Sequence, residues 1–223
     1  MTDAEFRVPI FFDYGATFAW AISGAVVGIR KRYDLVGVFV IALLSATGGG
    51  LVRDAIFLQR IPTLVLDPVY VPLIAATTLL MAMFTAPLTG LLKRQTVSKF
   101  VDLVDALGIP AFAVVGMQLA EDARIPVVGV ALVGVVNGVA GGLLRDVVVD
   151  DVPTLLRPGQ LVSLVLALAC ALFLVLRRLF GVDPTMAAWV TVGTFFLIRV
   201  LAVRFNWQTR SLAPDPPDGT RRD

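Results

Sequence analysis

Two stretches of this chain set residues able to do chemistry inside long apolar surroundings. Ser45-Ala46-Thr47-Gly48-Gly49-Gly50 is followed three residues later by Arg53-Asp54, and Asn137-Gly138-Val139-Ala140-Gly141-Gly142 leads at the same spacing to Arg145-Asp146. A glycine costs up to about 1 kcal/mol in a helix interior, so consecutive glycines favour a kink or an unwound turn. Backbone opened at membrane depth is tolerated only where it is buried in protein or lines a water-filled cavity. Carbonyls freed there, with Ser45, Thr47 and Asn137 nearby, would suit a dehydrating cation. The simpler alternative is that small residues let helices pack closely; the symmetric placement and polar neighbours favour a pathway. A P-loop is excluded, because neither cluster runs into Lys-Ser or Lys-Thr.

Ionisable groups at this depth are expensive and generally pair or line a pathway. Asp13 and Asp105 each precede the matching arginine, Arg53 or Arg145, by the same interval and fall on its side of the membrane. The expected ion pairs are therefore Asp13 with Arg53 and Asp105 with Arg145, one near each mouth, the alternative being that all four snorkel to headgroups. Arg199, inside the last apolar segment, reads as a snorkelling residue, a cationic gate or the counter-charge to an acid in the pore. Asp102 reads as interfacial, Pro72 and Pro87 imply kinks in the third span, and Trp20, Phe112 and Trp189 read as packing or interface anchors.

The elements that must position these groups are membrane spans. Residues of the AVILMFWYC set make up 57% of the 223 and charged residues 16%, and mean hydropathy is +0.85, well on the apolar side of soluble domains. Seven apolar segments stand out, at 9–29, 34–58, 69–92, 100–119, 125–149, 161–176 and 184–203, each near the roughly 20 residues that cross a bilayer. Sliding the chain by 92 positions lays Gly49-Gly50-Leu51-x-Arg53-Asp54 on Gly141-Gly142-Leu143-x-Arg145-Asp146, and pairs Gly24 with Gly116 and Asp13 with Asp105. Pro62-Thr63-Leu64 then meets Pro153-Thr154-Leu155 at a shift of 91, so the second copy has lost a residue in the loop. Three spans per copy is an odd number, so the copies are inverted, as in many transporters. The fold class is thus all-α and polytopic: two inverted three-helix repeats, 1–93 and 94–179, a seventh helix over 180–205, and a 206–223 tail expected to be disordered and cytoplasmic.

Lys and Arg place the N-terminus outside and the C-terminus inside, with twelve on the inner side against six outside. The net charge of +2 is spread between apolar segments rather than along one face, so it signals topology and not a nucleic-acid partner. With one cysteine, Cys170, and no histidine, the composition argues against an internal disulfide, zinc, haem and His-based catalysis, and no cofactor or metal site is expected. The opening residues MTDAEFR are acidic, unlike a cleavable signal, so the first span is expected to be retained.

On Ala46-Thr47-Gly48-Gly49-Gly50-Leu51-x-Arg53-Asp54 and the three-plus-three-plus-one plan, residues 10–205 resemble the prokaryotic trimeric intracellular cation (TRIC) channel family. The resemblance implies an integral protein of the prokaryotic inner membrane among lipids, a homotrimer whose every protomer holds an hourglass pore for monovalent cations, chiefly potassium ions. It also implies that glycine-kinked second and fifth helices form that pore, here at Gly48, Gly49, Gly50, Gly138, Gly141 and Gly142. Ala140 stands where Gly48 does in the first copy, so the second kink is expected to be milder. The same superfamily includes members described as glycine permeases, so a secondary transporter of glycine or another small amino acid is the alternative. The basic phosphoinositide-linked signature of animal members is not found, and lipid regulation is not carried over. An enzyme would need a base beside Ser45, with Asp54 or Asp146 as acids, and no histidine exists to serve. A purely structural scaffold leaves the symmetric polar groups unexplained.

Overall fold

The computed structural model describes residues 10–84, 94–156, 161–205 and 207. The opening residues, Pro87 and, Trp207 apart, the tail expected to be disordered lie outside the described residues. All regular structure among the described residues is helical: α1 (Ile10–Arg30), α2 (Leu35–Val52), the single turn α3 (Thr63–Leu66), α4 (Tyr70–Met83), α5 (Arg94–Asp122), α6 (Val127–Val148), α7 (Val162–Arg178) and α8 (Pro184–Arg204). A π-helical turn, Arg53–Phe57, extends α2, and a 3-10 turn, Thr154–Leu156, follows α6. Both Pro-Thr-Leu stretches therefore open a short helical turn. Leu35–Phe57, Val101–Asp122, Val127–Val148 and Pro184–Ala202 are long and apolar enough to span a bilayer by themselves. Pro72 falls in the first turn of α4, where a missing N–H costs nothing, so it does not kink that helix.

The two repeats end their helices alike. The α1–α2 and α5–α6 hairpins close with Tyr33 N–H donating to the Gly28 carbonyl at 3.2 Å and Ile125 N–H to Ala120 at 3.0 Å. Arg32 and Arg124 take left-handed φ values of 63° and 58°, giving two Schellman turns without glycine. Asp34 caps α2 by accepting the Gly37 N–H at 2.7 Å.

After the second helix of each repeat the copies diverge. Leu58 N–H donates five residues back to the Arg53 carbonyl at 3.0 Å, whereas its counterpart Val149 donates four residues back to Arg145 at 3.1 Å. The residue that separates a shift of 92 from one of 91 is thus absorbed as a π turn at the end of α2, not as loop length. Left-handed Gln59 and Asp150 end the two segments at equivalent places.

The halves meet where α2 crosses α6. A Cβ added to Gly49 would collide with the Asn137 carbonyl oxygen, and one added to Gly141 with the Ser45 carbonyl oxygen. Under the repeat these are one contact made twice. Gly48 sits 3.1 Å, measured from where its Cβ would be, from the Gly141 Cα. Outside this seam Gly24 rests against Ser45 and Gly116 against Asn137 in the same reciprocal way. Helical structure is continuous through Gly48, Gly49, Gly50, Gly141 and Gly142, so the expected unwound turn does not form there. Close approach, with Cα–H groups facing carbonyl oxygens, offsets the helical cost of glycine.

Gly49→Ala and Gly141→Ala should each lower stability by about 1–3 kcal/mol, the usual cost of overpacking. Gly50→Ala and Gly142→Ala, whose added Cβ atoms would lie 3.6 and 3.4 Å from their nearest neighbours, should be tolerated. Melting curves of the detergent-purified variants check this; equal losses at all four positions would contradict it.

Candidate functional site

The first Arg-Asp pair closes on itself. Arg53 Nε donates to Asp54 Oδ1 at 2.7 Å and Nη2 to Oδ2 at 2.8 Å, a two-pronged contact between a guanidinium and the next side chain. Asp54, with no exposed surface, also accepts from Arg60 Nε at 3.0 Å, the Thr63 N–H at 2.9 Å and the Thr63 hydroxyl at 3.0 Å. The π turn and α3 are therefore tied to one carboxylate. Asp13 does not pair with Arg53 as expected: no ion pair within 4.0 Å joins them among the described residues. Arg53 has spent its fork on Asp54, and Asp13 instead accepts a hydrogen bond from the Tyr70 hydroxyl. Tyr14 packs edge-on against Tyr70 at 5.5 Å and donates to Asp67 at 2.7 Å.

In the second half Arg145 Nε donates to Asp146 Oδ1 at 2.8 Å, and Nη1 reaches across to Ser23 Oγ at 3.0 Å. Here the expected inter-helix pair exists, with Nη2 3.8 Å from Asp105 Oδ2. Val162 opens α7 and lines the second cavity as Tyr70 opens α4 and lines the first, so Asp105 has no phenol to turn to. Arg199, 5% exposed, lies within electrostatic reach of Asp102 and Asp105, which fits the counter-charge among its three readings.

Each half encloses a small cavity beside its Arg-Asp pair. The first, about 30 Å³, is lined by Asp13, Thr17, Thr47, Gly50, Arg53, Asp54, Tyr70 and Phe112 among others. The second, about 20 Å³, is lined by Asp105, Ile109, Val139, Gly142, Arg145, Asp146, Val162 and Trp20. Position by position these are the same cavity, Phe112 and Trp20 being repeat mates that meet edge-on at 6.0 Å. Of the pathway residues anticipated from sequence, Thr47, Gly50 and Gly142 line these spaces. Ser45, Gly48, Gly49, Asn137 and Gly141 lie in the α2–α6 seam, and Gly138 lies against α5 at Ile109. The Ser45 hydroxyl has no hydrogen-bond partner, and the Asn137 amide donates to the Phe112 carbonyl.

Sequence reasoning missed Tyr70, Tyr14, Thr17 and Ser23. The alignment of Thr17 with Ile109 at the shift of 92, and of Tyr70 with Leu161 at the shift of 91, was the signal that could have found two of them. It also missed the clamp at the end of α6, where Asp151 binds Arg30 at 2.9 Å and Lys31 at 3.0 Å, and Lys31 also donates to the Val149 carbonyl at 2.6 Å. Partial burial works to raise the Asp151 pKa, but Lys31 and Arg30 outweigh it and hold the carboxyl below its ordinary value.

A polytopic membrane protein built as an inverted helical repeat, with a charged cavity in each half, is the class these observations define. The chain belongs to the glycine transporter family, whose sequence model matches it twice, over residues 10–86 and 102–178. UPF0126 inner membrane protein YadS of Escherichia coli K12 is 30% identical over 92% of this chain and 96% of its own. A UPF0126 membrane protein of Deinococcus radiodurans is 34% identical over 68% of each chain. Among solved structures, a TRIC cation channel superposes with a TM-score of 0.80 at 27% identity, covering 94% of this chain and all of that one. The TRIC trimeric intracellular cation channel orthologue from Rhodobacter sphaeroides gives 0.80 at 26%, covering 89% and 98%. The resemblance read from the glycine and Arg-Asp motifs therefore stands, and the chain is an integral membrane protein.

Two outcomes follow from the pairing. Asp54→Ala, which strands the buried Arg53, should cost about 3–5 kcal/mol, measured as loss of folded protein in detergent. Because the folded-state pKa of Asp151 is depressed, its contribution is present above the unfolded carboxylate pKa, about 3.9, and is lost as pH falls through the lower folded value. Asp151→Asn should therefore flatten the acid limb of the stability-pH profile while lowering stability at neutral pH.

Proposed function

We propose that this protein is a monovalent cation channel conducting potassium, each protomer of a homotrimer holding its own pathway between its two repeats. The observation that carries this reading is the pair of cavities flanking one close helix crossing, each with a buried carboxylate, Asp13 or Asp105, facing it. The TRIC fold, shared with cation channels at 27% and 26% identity, supports it. The path would run from one cavity through the α2–α6 seam to the other, with Ser45, Thr47, Gly48, Gly49, Gly50, Asn137, Gly138, Gly141 and Gly142 lining it once the seam bends open at its glycines. Seated as it is, the seam is the closed barrier. Arg53, Asp54, Arg145 and Asp146 frame the two mouths, and Arg199 balances the acids of the second. We take residues 1–93 and 94–179 as the repeat units, and place the chain in the bacterial inner membrane with its N-terminus outside.

The family's description raises a second reading, an amino-acid permease. Such a site needs a cationic group for the substrate carboxylate and an anionic one for its ammonium. Asp13 could supply the second, but Arg53 is already engaged by Asp54 at two nitrogens. Arg145 is likewise divided among Asp146, Ser23 and Asp105. The geometry therefore favours cation passage.

Purified protein in planar bilayers, with potassium as the only permeant cation, should show unitary currents. Silence in the bilayer together with counterflow of labelled glycine in proteoliposomes would replace the channel with the permease.

A further inference from the structure

The two cavities share a frame but not a chemistry: the second loses hydroxyls and gains both a guanidinium, Arg199, and an acid, Asp102 in place of Ile10. Three polar positions of the first, Thr17, Thr47 and Tyr70, are Ile109, Val139 and Val162 in the second. The larger Trp20 replaces Phe112, and α8, which has no counterpart in the first half, brings a second buried guanidinium, Arg199, toward Asp105. In the first half the second guanidinium belongs to Arg60, whose side chain is 42% exposed.

We infer that the first-half cavity holds a partly dehydrated monovalent cation on the Asp13 carboxylate and the Thr17 and Thr47 hydroxyls, and that the second-half cavity holds none. Its choice of a cation rests on the function proposed above. Thr17 is fully buried and lines the cavity, yet its hydroxyl has no hydrogen-bond partner. Thr47, Thr77 and Thr78 show what such a hydroxyl ordinarily does in these helices, donating to the carbonyl one turn back at 2.7–2.9 Å. A buried hydroxyl left unpaired costs about 1–3 kcal/mol unless something in the cavity takes it up. Thr47, with its proton committed to Leu43, presents only lone pairs. Tyr70 donates to Asp13 Oδ2, leaving Oδ1 without a hydrogen bond. The result is one carboxylate and two hydroxyls, three oxygen acceptors on residues lining one space. The Arg53 charge, which would oppose a cation there, is neutralised by its contact with Asp54. A cavity of about 30 Å³ has room for a cation with a water or so. In the second cavity the threonine places offer only aliphatic side chains, and although Asp105 Oδ1 is likewise without a hydrogen bond, Arg145 stands 3.8 Å from its other oxygen and Arg199 lies within electrostatic reach of Asp102 and Asp105.

The test measures unfolding temperature of the purified full chain while potassium chloride replaces N-methylglucamine chloride at constant ionic strength. Wild type should be stabilised by potassium saturably. Thr17→Val and Thr47→Val should each weaken the apparent affinity by about tenfold, the loss of one good polar contact. Thr17→Ser should restore it, and Ile109→Val in the second cavity should leave it unchanged. A potassium-insensitive wild type, threonine-to-valine variants that respond like wild type, or stabilisation by glycine in place of potassium would overturn the inference. Unitary potassium currents without potassium stabilisation would keep the channel and remove this site. Stabilisation lost in the threonine variants but without currents in wild type would keep the site and remove the channel.

Discussion

The seating of each repeat's glycine against the other repeat's carbonyl is the contact on which the rest of this protein depends. Gly49 lies against the Asn137 carbonyl and Gly141 against that of Ser45, so one pairing rule is applied twice and the pseudo-two-fold axis runs through the crossing. A bilayer supplies no hydrophobic drive for helices to associate, which leaves close packing and polar contacts to hold them together. Glycine answers that need because its missing Cβ lets two backbones approach until Cα–H groups touch carbonyl oxygens. The same approach closes the space between the two cavities. Symmetry axis and this close backbone approach therefore coincide, and under the proposed channel the barrier lies there too.

Charge is handled locally, so this seam carries none. Each arginine contacts the aspartate next to it in sequence, which makes the ends of α2 and α6 nearly self-neutral and spares the crossing an unpaired ion, the costliest thing it could hold. The acids of the first helices are then left for other partners: Asp13 takes Tyr70, whereas Asp105, facing Val162, keeps Arg145 at longer range. The π turn at Arg53–Phe57 belongs to the same economy. Asp54 gathers Arg53, Arg60 and Thr63, and the extra residue gives the chain slack to bring all three to one carboxylate. Beyond the end of α6, Asp151 turns to Arg30 and Lys31.

Much of this was legible before any coordinates, because duplication writes itself as spacing. The 92-residue shift exposed the repeat and the odd span count the inversion. What could not be read is the competition among neighbours. Adjacent Arg53 and Asp54 point apart on an ideal helix, so sequence spacing suggested Asp13 as the partner; side-chain length closed the gap instead. Glycine's helical penalty pointed to an unwound turn, but the penalty is intrinsic and the compensating contact lies on another helix. The change of shift from 92 to 91 was visible, yet whether a chain spends one residue on a loop or on a π turn is decided by hydrogen bonds five residues long. Pro110, within α5, drew no expectation, although its ring removes the bond to the Ala106 carbonyl.

A duplicated protein that kept both halves chemically identical would present the same face to each side of the membrane. This one has diverged by three routes that do not depend on one another: substitution at the Thr17, Thr47 and Tyr70 positions, retention of the π turn in one copy, and addition of α8, which brings Arg199 to the second half only. A substitution alone could be drift in a cavity wall. The guanidinium of Arg199 comes together with an extra acid, Asp102, so what separates the two halves is chiefly the loss of hydroxyl oxygens from the second cavity wall. An alternating-access carrier places its site at the midplane between the repeats, and there the described residues are occupied by the crossing itself. Under the proposed channel, two unequal chambers on either side of a closed seam give a path with a preferred side of loading.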